Sequence, residues 1–142
     1  MDWRTFGLVF LGGGLGSCAR FGLSGLLMGL FGRLAGGLPI GTMIVNISGC
    51  LAIGLAAGLF SGNGFGMIAM PPLWRALLVV GFLGGFTTFS AFEFESFQLA
   101  MQGHWLRLAL NVAGSVLLGW LAVAAGFWLA RGFAGVLPSG DV

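Results

Sequence analysis

The stretch Gly81-Phe-Leu-Gly-Gly-Phe-Thr-Thr-Phe-Ser-Ala-Phe-Glu-Phe-Glu95 decides how this chain is read. It begins as an apolar helix and then meets Gly84-Gly85, the hydroxyls of Thr87 and Thr88, and Ser90. Glycine and threonine are poor helix formers, so the spacing predicts a break over residues 84–88. In water, freed carbonyls and amides would simply be hydrated. Inside a bilayer they persist only where protein buries them or where they line a polar cavity. Broken helices at membrane depth are a recurring way to build ion sites, with carbonyls turned toward a cation.

Composition decides which solvent surrounds this stretch. Hydrophobic residues make up 58% of the 142 residues and charged ones 7%, against roughly 25% charged in an ordinary soluble domain. So few charges cannot cover a soluble surface, and lipid must be the solvent for most of the chain. The arginines stand singly at Arg4, Arg20, Arg33, Arg75, Arg107 and Arg131, with no Lys. A nucleic-acid binder would gather them into a patch, so that partner class is set aside. Cys18 and Cys50 lie in apolar runs without zinc or CxxC spacing and read as small buried hydrophobes. Leu15-Gly16-Ser17-Cys18 faintly resembles a lipoprotein cleavage site, but the apolar character continues beyond it, and the first segment is expected to be retained.

A helix needs about 20 mostly apolar residues to cross the hydrocarbon. Four stretches qualify, at roughly 6–30, 40–60, 73–92 and 108–130. The breaks between them are short, and the second carries Asn63 and Pro71-Pro72. None can hold a second domain, so residues 1–142 read as one all-α, integral membrane unit. Four spans put both termini on one side, with Arg4, Arg75 and Arg131 there and Arg33 and Arg107 opposite. That bias is weak for a rule that sets orientation by Lys and Arg asymmetry, and it permits insertion both ways up. An antiparallel homodimer becomes possible.

Twenty-eight residues are glycine, many spaced by four: Gly12/Gly16, Gly25/Gly29, Gly37/Gly41, Gly54/Gly58 and Gly81/Gly85. In lipid, small residues at that spacing mark faces where helix backbones touch. So much contact surface in so small a chain points to an oligomer.

Phe89 and Phe92 are i and i+3 and share one helical face. They are either core or lipid contacts, or rings whose positive edges meet an anion. Ser90 can donate a hydrogen bond beside them. Thr42 and Asn46 share a face of the second span, where a carboxamide needs a partner, whether a neighbouring helix or an ion. Asn111 and Ser115 repeat that spacing in the fourth span, where a structural bond is the simpler reading. Arg20, inside the first span, either draws anions into a vestibule or anchors a helix end.

These residues resemble the Fluc (CrcB) family of fluoride channels. Residues 81–92 resemble its third-span signature, Gly41-Thr-x-x-Val-Asn46-x-x-Gly49 its second-span motif, and Gly12-Gly-Gly-Leu-Gly-Ser-Cys-Ala-Arg20-Phe its first. The resemblance implies a dual-topology antiparallel homodimer in a bacterial inner membrane, passing fluoride passively outward and so relieving its toxicity. It implies that Phe89 and Phe92 are the paired pore phenylalanines and Asn46 the pore asparagine, with Ser90 and Ser115 also on the pathway. Gly84 and Thr87 would give backbone carbonyls to a structural sodium ion at the dimer's centre. The chain departs from the family pattern in Ala91, where a hydroxyl is usual, and in Glu93, where a small polar residue is usual.

Two other functions compete. A small proton-coupled drug exporter also has four spans, but it needs a carboxylate within a span, and here Glu93 and Glu95 sit late in the third. A structural assembly subunit would have no use for a helix break at midplane. No nucleophile–base arrangement suggests an enzyme, since the lone His104 lies in a loop.

Overall fold

The computed structural model describes residues 2–61 and 69–134, and Asn63 lies outside them. Regular structure among the described residues is helical throughout: α1 (Trp3–Phe31), α2 (Ile40–Leu59), α3 (72–86), α4 (Phe89–Met101) and α5 (Trp105–Ala134). Helices α3 and α4 are two halves of one apolar stretch, Pro72–Met101. That stretch and the other three helices have 20 to 30 residues and mean hydropathy of 1.4 to 1.9. At about 1.5 Å rise per residue each is long enough to cross a bilayer. The protein is therefore a multi-pass membrane protein.

Local chemistry sets the helix ends. Asp2 caps α1 by accepting from the Thr5 N–H at 2.7 Å, and this bond holds its carboxyl below the usual carboxylate range. After α1 the chain turns through Gly36 and Gly37, at φ 59° and 88°, a conformation that glycine adopts without a Cβ penalty. Pro72 opens α3, where its missing N–H costs nothing. From Arg75 to Leu83 the helix is wound more widely, as a π-helix.

Glycine brings the helices together in two pairs. A methyl group on Gly12 would strike the Leu77 carbonyl, and one on Gly16 the Phe82 carbonyl. Across the same contact, one on Gly81 would lie 3.0 Å from Gly12 Cα, and one on Gly85 would strike the Gly13 carbonyl. Thus α1 and α3 touch backbone to backbone. In the same way α2 meets α5 through Gly54 and Gly58, against the Val123 and Phe127 carbonyls, and through Gly126 from the other side. The spacings at 12/16, 54/58 and 81/85 are the contacts that the sequence suggests. Gly25 and Gly29 instead face open space within this chain, and Gly37 sits in the turn with the Arg107 guanidinium against it.

The surface is apolar, as a lipid-facing protein requires. Phe10, Phe21 and Trp120 are exposed. Trp3, Trp74 and Trp105 stand exposed at helix ends, where an aromatic belt would place them.

Candidate functional site

The third span breaks at Thr87 and Thr88, which turn extended at φ −81°, ψ 152° and φ −146°, ψ 117°. Gly84 stays helical at φ −63°, ψ −36°. The break thus falls at the threonines rather than at the glycines. Thr87 closes α3 by donating both its N–H and its hydroxyl to the Leu83 carbonyl, at 3.0 and 2.9 Å. Thr88 opens α4 as an N-cap, its hydroxyl accepting from the Ala91 N–H at 3.3 Å.

Asn46 reaches this break from α2. Its Nδ2 donates to the Thr88 carbonyl at 3.0 Å, and its Oδ1 accepts the Thr88 N–H at 2.8 Å. An amide nitrogen carries two N–H groups, so one remains after this pairing. From α1, Ser17 Oγ and Arg20 Nε donate to the Gly85 carbonyl at 3.4 and 3.3 Å.

Beside the break lies a cavity of about 430 Å³ between α2, α3, α4 and α5. Its wall includes Asn46, Cys50, Gly84, Thr87, Thr88, Phe89, Phe92 and Ser115, and no charged side chain. The rings of Phe89 and Phe92 are 5.8 Å apart at 45°. Phe92 is buried at 6% exposure, whereas Phe89 is 74% exposed in the single chain. Ser115 Oγ is buried and has no hydrogen-bond partner. A buried hydroxyl without a partner is costly in an apolar setting, and a guest in the cavity would relieve it.

The structure thus brings Asn46, Gly84, Thr87, Phe89, Phe92 and Ser115 to one cavity. Ser90 is exposed, with its hydroxyl 3.4 Å from that of Thr88, and is not part of the wall. Arg20 is not in the wall either and bonds to the break from behind. Asn111 is buried and donates to Ser96 Oγ at 2.9 Å, a structural bond between α5 and α4. Cys50 is half-buried in the cavity wall, and Cys18 is exposed, contrary to its reading as a buried hydrophobe.

Two acidic residues separate as helical geometry requires. Glu93 is exposed. Glu95 turns inward, where Thr42 Oγ1 donates to its Oε1 at 2.7 Å and its Oε2 stays buried without a partner. It lines a second cavity of about 210 Å³ with Gln98 and Gln102. Sequence reasoning missed this bond, although Thr42 and Glu95 are both polar residues in apolar runs and each needs a partner. It also passed over Ser17 and the capping role of Thr88.

No group of three or more His, Cys, Asp or Glu side chains stands ready for a metal among the described residues. Backbone oxygens are another matter. An unbroken helix would give the Thr88 N–H to the Gly84 carbonyl, but here it goes to Asn46. The Gly84 carbonyl thereby loses the N–H that an unbroken helix would give it.

Known proteins resemble nearly the whole length of this chain. The profile of the family described as "CrcB-like protein, Camphor Resistance (CrcB)" matches residues 7–127. The fluoride-specific ion channel FluC of Solibacter usitatus is 50% identical over 125 residues, covering 87% of this chain and 96% of its own. That of Coxiella burnetii (strain Dugway 5J108-111) is 46% identical over 123 residues, covering 84% and 94%. That of Paracoccus denitrificans is 45% identical over 129 residues, covering 91% and 96%.

Proposed function

The chain belongs to the CrcB family, and from that premise we propose how its own residues let fluoride through. It is a fluoride-specific ion channel and not an enzyme. The observation that carries the reading is the uncharged cavity where the ring pair Phe89–Phe92 meets the unpartnered Ser115 hydroxyl.

Fluoride is strongly hydrated, so a path for it must replace its water without binding it too tightly to leave. Three kinds of donor meet that need here. Ser115 supplies a hydroxyl whose proton no protein group holds. Asn46 supplies its remaining N–H, held in place by the bonds to Thr88. The edges of Phe89 and Phe92 supply a weak positive potential. Ser90, just outside the wall, would serve at the approach. With no charged side chain in the wall, each of these contacts stays modest.

The working unit is an antiparallel homodimer of identical subunits inserted in both orientations. The exposure of Phe89 supports this, since a pore ring needs a second wall. The broad apolar surface of the single chain supports it too. A sodium ion would be held at the dimer's centre by the Gly84 and Thr87 carbonyls, supplying a fixed positive charge and tying the subunits together. The Gly84 carbonyl's loss of its helical N–H supports that assignment. The setting is the inner membrane of a bacterium, where passive efflux relieves fluoride toxicity.

A proton-coupled exporter fits less well, because Glu95 lies outside the larger cavity and already accepts from Thr42. The functional test is growth. A bacterial host stripped of its own fluoride exporter should regain growth in millimolar fluoride when it carries this chain. Unchanged sensitivity in cells with the protein in their membranes would contradict the reading.

A further inference from the structure

The helix break releases a second carbonyl besides that of Gly84. In an unbroken helix the Gly85 carbonyl would accept the Phe89 N–H, four residues on. Phe89 instead starts a new helix after the Thr88 cap. Gly85 packs so closely on Gly13 that a methyl group on it would strike the Gly13 carbonyl. Its freed oxygen is met by donors from α1, and Gly85 is not in the cavity wall. Ser17 and Arg20 follow Gly13 at four and seven residues, on the same helical face. Both donate to the Gly85 carbonyl, at 3.4 and 3.3 Å.

We propose that Ser17 and Arg20 are positioning residues that clamp the Gly85 carbonyl and so hold the break in the shape that presents its other side to the ion. The proposal rests on the channel reading for its flux consequences, although the clamp itself is structural. Arg20 donates through Nε, the guanidinium nitrogen nearest the backbone, rather than through the terminal nitrogens. The clamp therefore needs a donor at a set distance along the side chain, which a charge at another distance does not replace. That separates it from a vestibule role, in which charge alone would matter.

The two roles are told apart by isosteres. In Arg20→Gln the amide nitrogen falls the same number of bonds from Cα as Arg Nε, without charge. In Arg20→Lys a methylene takes that position and the charge is kept. The experiment uses full-length protein in liposomes, reading fluoride efflux, and in parallel hydrogen–deuterium exchange over residues 84–92. Arg20→Gln should keep flux within about threefold of wild type, while Arg20→Lys and Arg20→Ala lose about tenfold, the worth of one hydrogen bond. Exchange over 84–92 should quicken in Arg20→Lys, Arg20→Ala and, to a smaller degree, Ser17→Ala. It should not quicken in Arg20→Gln, nor in α2 or α5 of any variant.

Full flux in Arg20→Lys with lost flux in Arg20→Gln would overturn the clamp in favour of anion attraction. Unchanged exchange over 84–92 in Arg20→Ala would overturn it as well. Wild-type protein that passes no fluoride would instead sink the channel reading, and the exchange measurement would still decide the clamp.

Discussion

Asn46 holds the backbone of Thr88 from both ends, its Nδ2 donating to the carbonyl at 3.0 Å and its Oδ1 accepting from the N–H at 2.8 Å. One side chain thereby replaces, across two helices, bonds that the break removes from one. The pairing also fixes where the remaining N–H of Asn46 can point. It leads directly to a test. Asn46→Ala leaves two backbone groups of Thr88 without partners and should cost about 2–4 kcal/mol. The thermal midpoint of the purified protein should fall, and fluoride flux should fall further than the folded fraction does. A variant as stable and as conductive as wild type would show that the break holds itself.

Phe89 and Phe92 sit 5.8 Å apart but differ in burial, at 74% and 6% exposure. As pore rings, both should matter for flux despite that difference. Phe89→Ile and Phe92→Ile should each reduce conduction while leaving a folded protein, with the larger loss of stability in Phe92→Ile, about 1–2 kcal/mol. Full flux in both variants would return the rings to a packing role.

Ser115 gives the cleanest separation of stability from transport. Its hydroxyl is buried and bonds to nothing in the protein. Removing it should therefore leave stability within about 0.5 kcal/mol of wild type or raise it. Flux in Ser115→Ala should nevertheless fall severalfold. A drop in the thermal midpoint with unchanged flux would assign the hydroxyl to the scaffold.

Backbone contact between α1 and α3 predicts intolerance at specific glycines. A methyl group at Gly12 or Gly85 meets backbone oxygen, which cannot move as a side chain can. Gly12→Ala and Gly85→Ala should each cost about 1–3 kcal/mol by overpacking. At Gly7, where nothing lies within 4 Å, the same change should be neutral within about 1 kcal/mol. Size-exclusion profiles and thermal midpoints in detergent would show whether the three substitutions sort this way.

Dual orientation can be read from one exposed loop residue. His104 lies between α4 and α5 and is exposed. With Cys18 and Cys50 changed to serine, His104→Cys should react with a membrane-impermeant thiol reagent to about half its total from either side of sealed membranes. Labelling from one side alone would rule out the antiparallel dimer of identical chains.

Much of this architecture was legible in residue order, and what was not follows a pattern. Apolar length gave the spans, and the glycine spacings at 12/16, 54/58 and 81/85 gave the helix contacts. A break near 84–88 could be expected from propensity, yet the residues that make it are Thr87 and Thr88. Gly85 serves a close packing contact while Gly84 simply stays helical, because a glycine without a Cβ is as useful against another backbone as in a bend. The end of the third span was harder. Helix α4 runs to Met101, with Glu93 exposed and Glu95 accepting from Thr42 through one of its two carboxylate oxygens. That bond joins residues 53 apart in sequence, and no local pattern reveals it. Ser17 is hidden for the same reason: its partner is a carbonyl that becomes free only once the break exists. The π-helical winding of Arg75–Leu83 has no signal in the sequence that we can identify.

Selective permeation is decided by ion flux from liposomes. Purified protein in sodium-containing buffer would be reconstituted, and fluoride and chloride release compared in the same preparation. Fluoride should be released rapidly while chloride is retained. Release of both ions alike, or of neither from a folded protein, would contradict selective permeation.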